Sequence, residues 1–288
     1  MDIIDFLTQH INVFLIIIAG LSLVIGSFLN VVVYRLPRMI QATWNEECRE
    51  YLGLKPQHDE KLLNLWLPLS HCPQCKKNIK PWHNIPVLSY FFLSGKCAYC
   101  STRISIRYPL IEALCCIASL YVAWRFGVSW QTVGGLFFTW VLISLTFIDV
   151  DYQLLPDQLT LLLLWSGLFL SLFSLFIPTQ DAIIGAIVGY LVFAIIQGMF
   201  YVATGKIGMG QGDYKFLAAL GAFLGWQQLP LIVLLASFIG ILFTFTHMLI
   251  KHQYKSVPFP FGPYLAVAGW ISLIWGNDIV QLYLKNLT

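Results

Sequence analysis

Two aspartates stand beside long apolar segments, where an ionisable side chain is unusual. Asp149 directly follows the mostly apolar residues 142–148, and Asp213 closes Gly208-Met-Gly-Gln-Gly-Asp213 just before another apolar run. Ionisable groups in such surroundings are costly, so the few that are kept there are usually functional and often paired. Asp149 and Asp213 are therefore the first candidates for a chemical site.

The chemistry open to such a pair follows from its charge. Two carboxylates in a partly dry site can hold one shared proton, because like charges at short range cannot both ionise. The ionised carboxylate can take a proton from water while the neutral one donates to a carbonyl oxygen. These roles are those of aspartyl proteolysis, and we predict that Asp149 and Asp213 are catalytic.

The glycines before Asp213 admit other interpretations. Gly208, Gly210 and Gly212 permit positive φ and a close approach of the backbone. A phosphate-binding loop is disfavoured, because Gly-x-Gly-x-x-Gly is not matched, no strand precedes the loop, and Asp213 is itself an anion. Asp213 could instead be the N-cap of the next helix, and a capping role is compatible with catalysis.

Four cysteines form two Cys-x-x-Cys pairs with 21 residues between them: Cys72, Cys75, Cys97 and Cys100. This spacing is typical of a zinc ribbon, in which four thiolates bind one tetrahedral ion. Two disulfides or a redox pair are the alternatives. They are disfavoured, because the segment is expected in the cytoplasm, where thiols stay reduced, and no thioredoxin-like unit surrounds it. We therefore expect one structural zinc ion per chain.

The elements that position these residues must lie in a membrane. The chain has 288 residues, of which 58% are hydrophobic and 11% charged, against about 25% charged in an ordinary soluble domain. Its formal charge of +3 is small and forms no basic stripe, so nucleic acid is not expected as a partner. A polytopic protein in a lipid bilayer is predicted.

The uncharged runs predict about eight transmembrane helices and an all-α fold. They cover residues 11–34, 126–148, 158–177, 182–205, 216–250 and 256–277, and residues 108–124 are interrupted only by Glu112. At ~20 residues per crossing, each forms one helix except 216–250. Those 35 residues would make a helix of ~52 Å, too long for a ~30 Å hydrocarbon core, so a break is expected near Pro230.

The positive charges predict the topology. Eleven of the 17 Lys and Arg residues fall between Arg35 and Arg107, which places that segment in the cytoplasm. Eight crossings then leave only Arg125 and Lys285 outside, with both termini on the outer side. We expect a first transmembrane helix (residues 1–36), a cytoplasmic insert with the zinc site (37–107) and a transmembrane peptidase domain (108–288).

Taken together, these motifs resemble those of the type IV prepilin peptidases, membrane aspartyl proteases of the Gly-x-Gly-Asp class. The resemblance covers almost the whole chain. It is carried by the two cysteine pairs and by four further segments: Gly26-Ser-Phe-Leu-Asn-Val-Val-Val-Tyr-Arg-Leu-Pro37, Arg107-Tyr-Pro-Leu-Ile-Glu112, Asp149-Val-Asp-Tyr-Gln-Leu-Leu-Pro-Asp157 and Gly210-Gln-Gly-Asp-Tyr-Lys215.

The resemblance implies a bifunctional enzyme of the bacterial inner membrane, with periplasmic termini. It would remove the leader of type IV prepilins and type II secretion pseudopilins at the cytoplasmic face. It would then methylate the new N-terminus with S-adenosylmethionine.

The family's catalytic pair corresponds to Asp149 and Asp213. Asp151 and Asp157 would orient the loop or hold Lys215. For methyl transfer, the resemblance points to the insert, with Gly95 and Glu112 as candidate cofactor-binding residues. Glu112 could instead pair with Arg103 or Arg107.

Two other functions were considered. A transporter could use Asp149, Asp213 and Glu112 to relay protons or bind a cation. However, both aspartates are expected at one membrane face instead of the midplane, and the two halves of the sequence do not repeat. A zinc-module scaffold for an assembly machine would leave the glycine-rich aspartate loop unexplained.

Overall fold

The computed structural model describes residues 3–55, 64–67, 70–72, 74–80, 86–251 and 260–285. Over these residues the regular structure is helical, which confirms the all-α prediction. The helices are α1 (Ile3–Gln9), α2 (Ile11–Tyr51), α3 (Leu88–Phe92), α4 (Arg107–Phe126), α5 (Trp130–Tyr152), α6 (Asp157–Ser171), α7 (Thr179–Thr204), α8 (Gln211–Leu224), α9 (Leu229–Lys251) and α10 (Gly262–Lys285).

Eight of these helices correspond in order to the eight apolar runs. Six are long and apolar enough to cross a membrane, counted over the described residues: α2, α4, α5, α7, α9 with the turn before it, and α10. The other two are shorter, since α6 has 15 residues and α8 has 14. The chain is a polytopic membrane protein.

The chain divides into two compact units, Met1–Val128 and Ser129–Thr288. In the first unit, α2 passes the predicted boundary at residue 37 and continues to Tyr51, with Pro37 inside the helix. Its last turns are rich in Glu, Gln, Arg, Met and Ala, which favour helix strongly enough to continue it past one proline. With 41 residues the helix is ~61 Å long, so part of it extends beyond a ~30 Å hydrocarbon core.

Helix α8 forms the centre of the second unit, with ten of its 14 residues buried. Glycines on the neighbouring helices allow their backbones to approach it closely. Gly185 and Gly189 form a Gly-x-x-x-Gly pair on α7, and Gly185 faces the backbone of Gly221. On α6, a Cβ atom built on Gly167 would lie 2.9 Å from the carbonyl carbon of Ala222. Such close approach is typical of helices packed in membranes and holds α8 in place.

The predicted break in residues 216–250 is confirmed. α8 ends at Leu224, Gly225 adopts a φ of +90°, a short 3-10 helix covers Trp226–Gln228, and α9 begins at Leu229. Glycine adopts this positive φ without a steric penalty. Pro230 lies in the first turn of α9, where its missing N–H costs no intrahelical hydrogen bond.

Candidate active site

Asp149 lies in the last turn of α5, and its side chain is almost fully enclosed, with 5% of its surface exposed. The helix ends three residues later, where Gln153 adopts a left-handed conformation and its N–H donates to the Asp149 carbonyl. The carboxylate itself accepts a hydrogen bond of 2.9 Å from the backbone N–H of Gly262 to Oδ2. Gly262 is the first residue of α10.

Asp213 lies in the first turn of α8 and is half-buried. The N-cap of this helix is Gly210, so the alternative that Asp213 is the N-cap is wrong. The glycine-rich loop ends the preceding non-helical segment, and the helix has already begun at Gln211. Asp213 therefore projects from within the helix and is not needed to cap it.

The two carboxylates converge in the second unit. Asp149 is near enough for its charge to act on Asp213. Leu155, in the loop after α5, packs between the residues next to them: a Cβ atom built on Gly212 would lie 2.8 Å from its Cβ, and one built on Gly262 would lie 3.0 Å from its Cδ2. The fold thus brings the end of α5 and the starts of α8 and α10 to one place.

An ion pair lies beside this site. The Lys215 ammonium on α8 donates to both carboxylate oxygens of Asp157, at 2.8 and 2.6 Å. Asp157 is the first residue of α6. Of the two aspartates expected to orient the loop or hold Lys215, Asp157 is therefore the one that binds it.

Gly262 was missed at the sequence level, because glycine has no side chain that could signal chemistry. A signal was nevertheless present, since Gly262 lies in Pro260-Phe-Gly-Pro263. An apolar groove of about 550 Å³ begins beside it, between α9 and the start of α10. Its lining includes Gly240, Phe245, Phe261 and Tyr264.

Two enclosed carboxylates of this kind can hold one proton between them, because the second negative charge is disfavoured both by burial and by the first. Such a pair can act as acid and base in the same reaction. The geometry therefore fits general acid–base hydrolysis.

The four cysteines of the insert come together in the first unit. Their Sγ atoms all lie within 4.8 Å of one another, and those of Cys72 and Cys100 are 3.8 Å apart. Four thiolates bound to one zinc ion at ~2.3 Å would lie ~3.8 Å from each other. The cluster therefore has the dimensions of a tetrahedral zinc site.

The two cysteine pairs have the same local structure. The N–H of Cys72 donates to the Lys77 carbonyl at 3.0 Å, and that of Cys97 donates to the Thr102 carbonyl at 2.8 Å. In each pair the residue after the second cysteine has a positive φ, 59° at Lys76 and 57° at Ser101. Two equivalent turns of this kind present their thiols to one point, as the spacing predicted.

The ionisation of one thiol is also favoured. Hydrogen bonds with the side chain and the backbone of Thr102 lower the pKa of Cys100 to about 6. Metal ions bind thiolates and not thiols. The chemistry of this donor set thus fits a metal site.

Glu112 is buried in the first unit, on α4, with 8% of its surface exposed. Its Oε2 accepts a 2.8 Å hydrogen bond from the backbone N–H of Val87, and the Ser27 side chain also binds the carboxylate. Gly26 of α2 packs on the Glu112 backbone, where a Cβ atom would lie 2.9 Å from Cα. Two segments that carry the family resemblance therefore meet at Glu112.

Gly95 has a structural reason of its own. Its φ is +67°, its N–H donates to the Tyr90 carbonyl, and its carbonyl accepts from the N–H of Ile104. A Cβ atom at this position would lie 2.9 Å from the Tyr90 hydroxyl. Both backbone polar groups of Gly95 are therefore used inside the insert.

Two protein-family models match the chain. The Bacterial Peptidase A24 N-terminal domain matches residues 20–126, and the Type IV leader peptidase family matches residues 136–245. No solved structure matches significantly.

Curated relatives match nearly end to end, and three of them carry the name prepilin leader peptidase/N-methyltransferase. The protein of Pseudomonas aeruginosa is 47% identical, over 99% of this chain and 98% of its own. That of Aeromonas hydrophila is 50% identical over 92% of both chains. That of Neisseria gonorrhoeae is 47% identical over 91% of this chain and 90% of its own. These matches favour the peptidase over the transporter and the scaffold, and the chain belongs to the type IV prepilin leader peptidase family.

Proposed function

We propose that the protein is a membrane aspartyl endopeptidase that removes the leader peptide of type IV prepilins and type II secretion pseudopilins and then N-methylates the new N-terminus. The observation that carries the proposal is the convergence of Asp149 and Asp213 beneath Leu155. The names of the relatives support both activities.

Cleavage requires one proton shared between the two catalytic carboxylates. The ionised one takes a proton from water as the water oxygen attacks the carbonyl carbon of the scissile bond, and the neutral one donates its proton to the carbonyl oxygen. When the resulting diol collapses, the C–N bond breaks. The leaving nitrogen takes a proton from the pair and becomes the new N-terminal amine.

For methyl transfer, S-adenosylmethionine supplies a methyl group on a positively charged sulfur. We assign Glu112 to its site, because a buried carboxylate with neutral hydrogen-bond donors can pair with a cation. Gly95, the second candidate, acts through the shape of its turn, since its backbone groups are already engaged.

The four-cysteine cluster binds one structural zinc ion in this proposal. The donors would be Cys72, Cys75, Cys97 and Cys100, whose separations fit a closed tetrahedron. With four protein ligands the ion has no open position for a substrate, so it would stabilise the insert and take no part in either reaction.

We further propose that the protein resides in the bacterial inner membrane with its insert and catalytic aspartates on the cytoplasmic side. The distribution of Lys and Arg supports this orientation. Its partners are then the membrane-embedded prepilin substrates and the surrounding lipid.

The test is to reconstitute the purified protein in liposomes with a prepilin and S-adenosylmethionine. Mass spectrometry of the pilin N-terminus should detect loss of the leader and then the addition of one methyl group. The protein carrying both Asp149→Asn and Asp213→Asn serves as the negative control. An intact leader after incubation with the wild-type protein would contradict the proposal.

A further inference from the structure

We propose that Gly262 is a positioning residue for Asp149: its N–H and its missing side chain hold the carboxylate in place and stabilise its negative charge. This inference rests on the proposed function, in which Asp149 is catalytic. Gly262 would act through Asp149 and would not contact the substrate.

The first support is the hydrogen bond itself. The Gly262 N–H lies 2.9 Å from Oδ2 of a carboxylate that is only 5% exposed. Hydrogen bonds from N–H groups to ionised acceptors are stronger than neutral ones, and they matter most where water cannot replace them. With Oδ2 held in this way, Oδ1 is the oxygen directed to the reaction.

The second support is the direction of the helices. Asp149 lies in the last turn of α5, where the partial negative charge of the helix end opposes an ionised carboxylate. Gly262 is the first residue of the 24-residue helix α10, whose N-terminal end carries partial positive charge. The start of α10 thus offsets the unfavourable end of α5 at one carboxylate oxygen.

The third support is the lack of space at Gly262. A Cβ atom there would lie 2.6 Å from Oδ2 of Asp149, so any side chain would push the carboxylate away. Gly269, on the same helix, provides a matched comparison. A Cβ atom there would lie 2.7 Å from Cδ2 of Leu220, which is an equally tight contact away from the carboxylates.

The charged surroundings of Asp149 define what else could shift its ionisation. Asp213, on α8, acts on the pair directly. Of the helices packed on α5, α6 contributes Asp157, which is bound to Lys215, and α10 contributes Tyr264 near its start. The Gly262 variants leave all of these groups unchanged.

The test compares prepilin cleavage as a function of pH in liposomes for the wild type, Gly262→Ala, Gly262→Pro and Gly269→Ala. Alanine adds the Cβ atom but keeps the N–H, whereas proline adds a Cβ and removes the N–H at a helix start that tolerates it. Both Gly262 variants should lower kcat. Relative to alanine, proline should move the acid limb of the pH profile up by about 1–2 pH units. The Gly269→Ala profile should match the wild type.

A second measurement needs no activity. In the Asp213→Asn background, infrared titration follows the remaining Asp149 carboxyl, and adding Gly262→Pro should move its ionisation to higher pH than adding Gly262→Ala. Equal titrations or equal acid limbs would overturn the positioning role. Cleavage by the wild type in the same assay would leave the proposed function standing, whereas its absence would refute that function instead.

Discussion

The Lys215 ammonium binds both carboxylate oxygens of Asp157 and so joins the start of α8 to the start of α6. Asp213 lies two residues before Lys215 on α8. The ion pair therefore fixes the helix that carries one of the two proposed catalytic carboxylates. Both side chains are partly exposed, at 29% for Lys215 and 53% for Asp157, so solvent screens their attraction.

We predict that Asp157→Ala and Lys215→Ala each reduce the kcat of prepilin cleavage by less than about tenfold, because exposed ion pairs contribute little energy. Since the two residues act as a pair, the double variant should be no slower than the slower single variant. Steady-state kinetics at low and high salt would measure this. A loss as complete as that of a catalytic aspartate would instead indicate a direct role for Asp157.

Asp149→Asn and Asp213→Asn should each reduce cleavage by at least about 100-fold, because an amide cannot exchange the proton. The helices should remain intact, since asparagine has nearly the same shape. Leader removal followed by mass spectrometry, with circular dichroism on the same samples, would measure both effects.

Asp181→Asn is the matched control for these variants. Asp181 accepts a 3.1 Å hydrogen bond from Nε1 of Trp226, and the asparagine oxygen can still accept it. This variant should cleave within about twofold of the wild type. Wild-type rates in either Asp149→Asn or Asp213→Asn would rule out that residue as catalytic.

The sequence predicts residues whose chemistry is visible in their type. Asp149, Asp213 and the four cysteines are unusual in an apolar chain or regular in their spacing, so they could be identified without a structure. The helix positions followed from the uncharged runs for the same reason.

Residues that act through shape could not be predicted in this way. Gly262 reaches Asp149 only because α5 and α10 pack together, and a backbone N–H leaves no mark in the sequence. Pro37 gave the opposite error, because a local helix-breaking residue is overridden by the strong helix formers that follow it.

Purified protein should contain one zinc ion per chain. Replacing Cys75 or Cys97 with serine should remove it and expose the insert to proteolysis, because a closed zinc site contributes folding energy directly. Metal analysis and limited trypsin digestion would measure the two effects. Cys48→Ser is the control, because Cys48 is exposed and outside the cluster. Protein without zinc, prepared in the absence of chelators, would contradict the prediction.

Glu112→Gln should impair methylation of a pre-cleaved pilin peptide while leader removal continues. Glutamine keeps an oxygen that can accept the Val87 N–H but removes the negative charge proposed to pair with the cationic methyl donor. We expect at least about a tenfold higher KM for S-adenosylmethionine, which corresponds to about 1.4 kcal/mol of lost binding. Isotope transfer from labelled S-adenosylmethionine would measure it.

Asp149→Asn provides the complementary control, because it should still methylate the pre-cleaved peptide. If methylation were lost in step with cleavage in both Asp149→Asn and Glu112→Gln, the two activities would share one site. An unchanged KM in Glu112→Gln would remove Glu112 from the methyl-transfer site.

The two glycines next to Asp213 should differ in their tolerance of a side chain. A Cβ atom on Gly212 would lie 2.8 Å from the Cβ of Leu155, whereas one on Gly210 would first meet Oδ2 of Asp213, at 3.7 Å. Gly212→Ala should therefore separate the start of α8 from the loop after α5 and slow cleavage by about 10- to 100-fold, since small displacements of catalytic groups have effects of this size. Gly210→Ala makes only an ordinary van der Waals contact and should retain most of the activity. Kinetics of the two variants, which add the same methyl group two residues apart, would measure the difference. Equal losses would mean that the glycines serve the flexibility of the loop, and that contact with Leu155 does not set the position of Asp213.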